Sequence, residues 1–122
     1  MYGERIKADD KEIFDEVVDA ILSVLGDDAQ KIILYGSVAR GDNTPESDVD
    51  IAVITKTQHD WRDRDNLLYV IVPLDLKHDT LFSVKTIEQK HFNDWVDDLP
   101  FYHNIDGEGI TLWTNKNIYS TL

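Results

Sequence analysis

The sequence predicts one small α/β or α+β domain, with three or four short strands in one sheet and helices on one face of it. Segments with helical apolar periodicity alternate with short runs of β-branched residues, which is the pattern of such domains. The chain of 122 residues has the length of one domain, so we assign residues 1–122 to a single unit. Its residues are 42% hydrophobic and 10% aromatic, enough for one buried core.

The first half of the chain predicts a helix, a strand, a loop and a second strand. Apolar residues recur at helical spacing over 10–25, and Gly26 is placed to end that helix. The runs KIILY at 31–35 and VDIAVIT at 49–55 are rich in β-branched residues and predict strands. Between them, GSVARGDNTPESD predicts a tight turn, one helical turn and a loop.

The second half predicts three helices and two strands. A helix is expected over 59–76, and Pro73 should kink or end it because proline lacks the backbone N–H. The tail after residue 113 is expected to be loose. The remaining predicted elements are a strand at 79–87, a helix at 88–98, a short helix from Pro100 to Gly107 or Gly109, and a strand at 110–113.

The charge and the cysteine count exclude several classes of function. The chain carries 12 Lys and Arg against 24 Asp and Glu, a formal charge of −12. This balance argues against binding to a nucleic-acid polymer or an anionic membrane, both of which need basic residues. With no cysteine, disulfides, thiol catalysis and cysteine–zinc sites are excluded. No apolar run approaches 18 residues, so we expect a soluble cytoplasmic protein.

The stretch GSVARGDNTPESDVD, directly after the first strand, carries the chemistry. Gly36 lets the backbone approach a ligand, while the Ser37 hydroxyl and nearby N–H groups can hold phosphate oxygens. Arg40 can add a charge-assisted bond to the same anion. Asp48 and Asp50 are two residues apart at the start of a strand, so their carboxylates share a face and suit Mg²⁺. A phosphate site beside a metal site predicts chemistry at phosphorus.

This stretch resembles the signature of a known superfamily. GS at 36–37, ARG at 39–41 and SDVD at 47–50 are similar to the motif of the nucleotidyltransferases that include DNA polymerase β. The short chain is similar to the minimal nucleotidyltransferases of that superfamily. A weaker likeness continues through HDTLFSV at 78–84 and PFYHNIDGEGITL at 100–112.

The resemblance implies a polymerase β-like fold, a short mixed sheet with helices packed on it. It also implies transfer of a nucleoside monophosphate from a nucleoside triphosphate such as ATP, with Mg²⁺. Family members that are active carry a third carboxylate on a neighbouring strand, beside the pair matched here by Asp48 and Asp50. Asp79, at the start of the predicted third strand, is favoured for that place over Asp75. It would bind the metal or take a proton from the acceptor hydroxyl.

Stand-alone minimal nucleotidyltransferases are often antitoxins paired with a HEPN-domain ribonuclease toxin, and active ones adenylylate a tyrosine of that toxin. The resemblance therefore favours a protein adenylyltransferase acting on such a partner, in a possible hetero-oligomer. A small-molecule nucleotidyltransferase of the aminoglycoside type and a non-catalytic binding module are the alternatives. The eight acids and one lysine between positions 9 and 28 form either a solvated face or a docking face for a basic partner.

The aromatic and histidine residues add no further site. The four histidines show no metal-ligand spacing. Five aromatic side chains are expected in the core rather than on a base-stacking platform; they are Trp61, Trp95, Trp113, Phe101 and Tyr102.

Overall fold

The computed structural model describes residues 6–116, which form five helices, four strands and one 3₁₀ turn at Gly26–Asp28. The helices are α1 (Lys11–Leu25), α2 (Gly36–Arg40), α3 (Trp61–His78), α4 (Gln89–Trp95) and α5 (Pro100–Glu108). The strands are β1 (Ala29–Tyr35), β2 (Val49–Thr55), β3 (Phe82–Glu88) and β4 (Ile110–Thr114). The predicted alternation of helices and strands is confirmed.

The four strands form one mixed sheet in the order β3-β2-β1-β4. β1 runs antiparallel to both β2 and β4, while β2 and β3 are parallel and are connected through α3. Because β1 and β2 are antiparallel, the end of β1 lies beside the start of β2, where Tyr35 pairs with Asp50. This pairing brings the segment after β1, which begins at Gly36, next to Asp50 at the start of β2, so both halves of the sequence motif lie at the same end of the two central strands.

Helices cover both faces of the sheet. In β1, Ile32 and Leu34 are buried in a core with α1 and α3, whereas Ile33 and Tyr35 are buried in a second core with α4 and α5. The expectation that helices occupy one face is therefore wrong. The sequence carried a sign of this, because a run that is apolar at every position is typical of a strand buried on both sides.

The third helix runs past its proline. α3 continues through Pro73 to His78, so the helix does not end at the proline. Proline removes a bond to the carbonyl four residues earlier, here that of Tyr69. Tyr69 is 84% exposed and Pro73 is also exposed, so this carbonyl lies on the solvent side of the helix and the loss is tolerated. The helix starts at Trp61 because the Asp60 carboxylate accepts the N–H of Arg62 at 3.0 Å.

The third strand begins later than the sequence suggests. β3 starts at Phe82, and Asp79 is instead the residue that ends α3, in the left-handed conformation with φ of 49°. The expectation that Asp79 begins a strand is therefore wrong. Asp and Asn adopt this conformation more readily than most residues, so an aspartate fits a helix end.

Two other expectations concern the end of α1 and the C-terminal tail. Gly26 ends α1 as predicted, with φ of 53° and its N–H bonded to the carbonyl of Leu22. Of the tail expected to be loose, Thr114 belongs to β4 and Asn115 is buried, and residues 117–122 lie outside the described part. Between residues 6 and 116, no helix combines the length and apolar character needed to span a membrane.

Candidate active site

The corner between β1 and α2 sets the geometry of the site. Gly36 has φ of 76°, a region that L-residues with a side chain rarely adopt. A Cβ built on Gly36 would lie 2.5 Å from Oδ2 of Asp50, so the glycine also makes room for that carboxylate. Ser37 follows at once, and the helix ends at Gly41, whose N–H bonds to the carbonyl of Ser37 at 2.9 Å. The backbone of the motif is thus folded tightly around Asp50.

Asp50 is a half-buried carboxylate in a charged environment. Burial, followed by the negative charge of Asp48, raises the pKa of Asp50. The positive charges of Lys85 and Arg40 partly offset that rise. The structure therefore brings Asp48 and Asp50 within electrostatic range of each other and of two cationic side chains. Two carboxylates that repel each other are stabilised by a cation between them.

The donor set fits a magnesium ion that shares its coordination with a substrate. Mg²⁺ prefers hard oxygen ligands and is often held by one or two carboxylates together with substrate phosphates. Asp48 and Asp50 supply two such carboxylates. Among residues 6–116, no group of three or more His, Cys, Asp or Glu side chains is arranged to hold a metal. The site thus provides part of a coordination shell, and phosphate oxygens would complete it.

A cavity of about 420 Å³ brings the phosphate-binding residues of the motif together with Asp50. Its volume lies in the range of small-molecule sites. It is lined by Tyr35, Gly36, Ser37, Arg40, Asp50, Phe101, Asn104 and Glu108. The predicted residues Gly36, Ser37, Arg40 and Asp50 are therefore neighbours around one cavity.

Arg40 is held at the cavity by two acids. Its Nε donates to Oδ2 of Asp42 at 3.2 Å, and its Nη1 donates to Oε2 of Glu108 at 3.3 Å. The Arg40 side chain is 45% exposed, so both ion pairs are in contact with water and contribute little to stability. A phosphate entering the cavity could therefore replace Glu108 as a partner of Arg40 at small cost.

The two candidates for a third carboxylate do not line the cavity of Asp50, and neither does Asp48. Asp75 and Asp79 line a neighbouring depression of about 330 Å³ that also includes Asp48, and neither lines the cavity with Asp50. Oδ1 of Asp75 accepts the backbone N–H of Phe82 at 2.9 Å, which ties the end of α3 to the start of β3. Asp79 is exposed and stands at the helix end.

The fifth helix contributes residues that the sequence analysis did not select. Phe101, Asn104 and Glu108 of α5 line the cavity, three and four positions apart, on one face of the helix. α5 lies within residues 100–112, where the sequence has only the weaker family resemblance, and that resemblance was the available sign that this helix contributes to the site. The Phe101 ring packs edge-on against Tyr35, with centroids 5.6 Å apart. Burial, followed by the charge of Asp50, raises the pKa of Tyr35 to about 12.

The expectation of an aromatic core is wrong for three side chains. Trp61 is 60%, Trp95 46% and Phe101 41% exposed. Tyr102 packs against the second core and Trp113 against the first, as expected. The exposed rings occur on helices whose outer face the sequence pattern alone did not separate from the inner face. Phe101 is the exposed ring that lines the cavity with Asp50.

Comparison with known proteins agrees with this fold and this motif. Residues 19–118 match the family model described as polymerase beta, nucleotidyltransferase. The match spans most of the chain, so this protein belongs to that nucleotidyltransferase family. The polymerase β-like fold implied by the sequence motif is thereby confirmed.

Three similar proteins illustrate the family. A "Putative protein adenylyltransferase" of Methanocaldococcus jannaschii is 30% identical over 91 residues, which cover 75% of this chain and 92% of that protein. A toxin–antitoxin structure with AMP-PNP has a TM-score of 0.57 at 20% identity, covering 88% of this chain and 78% of that one. A structure of a tri-AMPylated Shewanella oneidensis HEPN toxin in complex with MNT antitoxin has a TM-score of 0.50 at 18% identity, covering 91% and 78%. These two structures establish similarity of fold.

Proposed function

We propose that this chain transfers AMP from ATP to a hydroxyl group of a partner protein, with Mg²⁺, and thereby acts as an antitoxin. One observation carries the proposal: the carboxylate of Asp50 packs against Gly36. Gly36 in turn opens the short helix that ends in Arg40. Groups suited to phosphate and groups suited to a divalent cation therefore share one cavity, as nucleotidyl transfer requires.

Four side chains of the motif have proposed roles in holding the triphosphate and the metal. The Ser37 hydroxyl and Arg40 hold the β- and γ-phosphates, and Arg40 exchanges its bond to Glu108 for one to phosphate. Asp48 and Asp50 hold Mg²⁺, which when bound offsets the negative charge of the triphosphate. Holding the triphosphate in this way orients the α-phosphorus for in-line attack by the acceptor oxygen, with pyrophosphate as the leaving group.

Asp79 has a separate proposed role on the acceptor side. It lines the depression that also includes Asp48 of the proposed metal pair, and we assign it to the acceptor hydroxyl. Being exposed at the end of α3, it is accessible to a side chain of another protein. Asp75 is less suited, because its carboxylate already accepts the N–H of Phe82. The variant Asp79→Asn should slow transfer and leave nucleotide affinity unchanged.

A protein is the acceptor that the surface supports best. The outer face of α3 exposes large apolar side chains, including Leu76 at 80% and Tyr69 at 84% exposure. Contiguous exposed apolar side chains are typical of a surface that docks another protein. The similarity to a protein adenylyltransferase supports the same acceptor class. The similarity in fold to an antitoxin bound to a HEPN toxin favours a HEPN-domain toxin as that protein, with a tyrosine as acceptor.

The decisive experiment mixes the purified chain, a HEPN-domain protein from the same genome, α-labelled ATP and Mg²⁺. We expect label on a tyrosine of the HEPN protein, loss of its ribonuclease activity, and a rate about 10²–10³ lower for Asp50→Ala. Tight binding of the two proteins without label would support a non-catalytic antitoxin. Label on a small hydroxyl compound instead would support the alternative acceptor class. Because the proposed reaction uses ATP and a protein acceptor, we expect this protein to act in the cytoplasm.

A further inference from the structure

The strand beside Asp50 carries a cationic side chain on the same face of the sheet. In the parallel pairing of β2 and β3, Asp50 is matched with Ser83 and Ala52 with Lys85. Matched residues on adjacent strands project their side chains to the same face of a sheet. On the face of Asp50, the next strand therefore offers a hydroxyl and an ammonium group.

The strand on the other side of Asp50 offers no carboxylate either. In the antiparallel pairing with β1, Asp50 is matched with Tyr35 and Ala52 with Ile33. Asp50 is thus flanked on its own face by a phenol, a hydroxyl and the ammonium of Lys85. The described part of the chain, residues 6–116, also lacks a group of three acidic or imidazole side chains arranged around one point.

The exposed side chain of Lys85 places its ammonium next to a ring that lines the cavity. Its Nζ lies 5.3 Å from the centroid of the Phe101 ring, within the range of a cation–π contact. Phe101 packs edge-on against Tyr35, and both rings line the cavity of Asp50. The charge of Lys85 acts on Asp50, since it counteracts the rise in the pKa of that carboxyl.

A second metal ion would meet two obstacles at this position. Sites that use two metals hold them about 3.5–4 Å apart and share carboxylate ligands between them. Here Asp48 and Asp50 would hold the first ion, and the carboxylate of Glu108 in the same cavity is paired with Arg40 at 3.3 Å. A second cation would also be repelled by the ammonium of Lys85. A lysine can supply the positive charge that a second metal ion would bring, because its ammonium is compact and donates up to three hydrogen bonds.

We propose that Lys85 supplies a positive charge in the place of a second metal ion, so that the site binds one divalent cation with each nucleotide. This inference rests on the proposed function, because it concerns the same triphosphate. Lys85 then offsets part of the negative charge that develops at the α-phosphate during transfer. The number of cations bound by the nucleotide complex is the property that distinguishes this arrangement from a two-metal site.

The first test counts Mn²⁺ by electron paramagnetic resonance in the full chain with α,β-methylene-ATP, which cannot release AMP. We expect one Mn²⁺ per chain and nucleotide at saturation. Two Mn²⁺ ions per nucleotide would overturn the inference. If the analogue does not bind at all, the proposed function and the inference fail together. If the analogue binds with two Mn²⁺ ions, and ATP in a parallel assay supports AMP transfer, the inference alone fails.

The second test changes the lysine. In Lys85→Met, removal of the repelling charge should lower the dissociation constant of Mn²⁺ about three- to tenfold, while AMP transfer falls at least about tenfold. Lys85→Arg should keep one Mn²⁺ and most of the activity. Lys90→Met is the control, because Lys90 is an exposed lysine paired with Asp94 at 2.7 Å. Equal Mn²⁺ affinity in wild type and Lys85→Met would contradict the inference.

Discussion

Gly36 and Asp50 are in direct contact across the start of the site, since the α-carbon of Gly36 faces the Asp50 carboxylate with no room for a methyl group between them. A Cβ on Gly36 would lie 2.5 Å from Oδ2 and 3.3 Å from Cγ of Asp50. The contact follows from the register in which Tyr35 pairs with Asp50. Gly36 follows Tyr35 directly and begins α2. The Asp50 carboxylate can therefore occupy its position only because residue 36 has no side chain.

Replacing Gly36 by alanine should damage both the fold and the site. The new methyl group must push the Asp50 carboxylate aside, and the backbone must keep φ of 76° with a Cβ present. We expect a loss of about 2–4 kcal/mol in the free energy of unfolding, measured with urea, and a drop of about 100-fold in AMP transfer. A displaced catalytic group commonly has an effect of this size on rate.

Gly41→Ala is the matched control for this variant. Gly41 has nearly the same φ, 82°, but a Cβ there would have nothing within 4 Å. It should therefore cost about 1–2 kcal/mol of stability through backbone strain alone. Equal losses in the two variants would show that the contact between Gly36 and Asp50 has no energetic effect.

Asp50→Asn should stabilise the chain in the absence of metal. Burial and the charge of Asp48 raise the pKa of Asp50, so the ionised form is disfavoured in the folded state. Ionisation of Asp50 thus reduces stability as the pH rises through its folded-state pKa, and the neutral amide removes that loss. At pH 7 without Mg²⁺ we expect the melting temperature to rise by about 2–5 °C, with a smaller difference below pH 4.

The same variant should lose its response to Mg²⁺. Saturating Mg²⁺ with an ATP analogue should raise the melting temperature of the wild type more than that of Asp50→Asn, because ligands stabilise the state that binds them. Asp19→Asn serves as the control, since Asp19 is an exposed acid of α1 that lines neither the cavity of Asp50 nor the depression of Asp48. An equal Mg²⁺ response in wild type and Asp50→Asn would contradict the assignment of Asp50 as a ligand.

The sequence predicted those parts of the site that are close together along the chain. Gly36, Ser37 and Arg40 lie within one short helix, and the antiparallel return of β2 brings Asp50 beside them. Such neighbours can be anticipated from a motif and a strand pairing. The contribution of α5 depends on how a distant helix packs on the sheet, which no local pattern specifies, so Glu108 was missed as a partner of Arg40.

The errors in the prediction arose where tertiary contacts override local preference. Asp79 follows a stretch that could be helical or extended, and the end of α3 is fixed by the bond between Asp75 and the N–H of Phe82. That bond joins residues seven apart and has no sequence signature. Pro73 likewise stays inside α3, because the exposed side of that helix can leave a carbonyl to water.

Glu108→Gln should strengthen ATP binding by releasing Arg40. The ion pair between Arg40 Nη1 and Glu108 Oε2 is 3.3 Å long and must open if Arg40 is to hold phosphate. We expect the KM for ATP to fall about two- to fivefold, consistent with the small strength of exposed ion pairs. The control is Asp106→Asn, an exposed acid of α5 with the same change in charge. An equal fall in both variants would indicate a general charge effect rather than release of Arg40.

His59 should make the stability of the fold depend on pH around neutrality. Burial lowers the pKa of His59, but hydrogen bonds to the carboxylates of Asp28 and Asp63 outweigh it, and the pKa is raised overall. The protonated ring is therefore favoured in the folded state, and its stabilisation is complete below the unfolded-state pKa of about 6.5 and lost as the pH rises through the raised value. His59→Gln should cost about 1–3 kcal/mol in urea unfolding at pH 6 and clearly less at pH 9, while His103→Gln, at an exposed histidine of α5, should change little at either pH. A loss for His59→Gln that is the same at both pH values would show that the charge of the ring does not contribute.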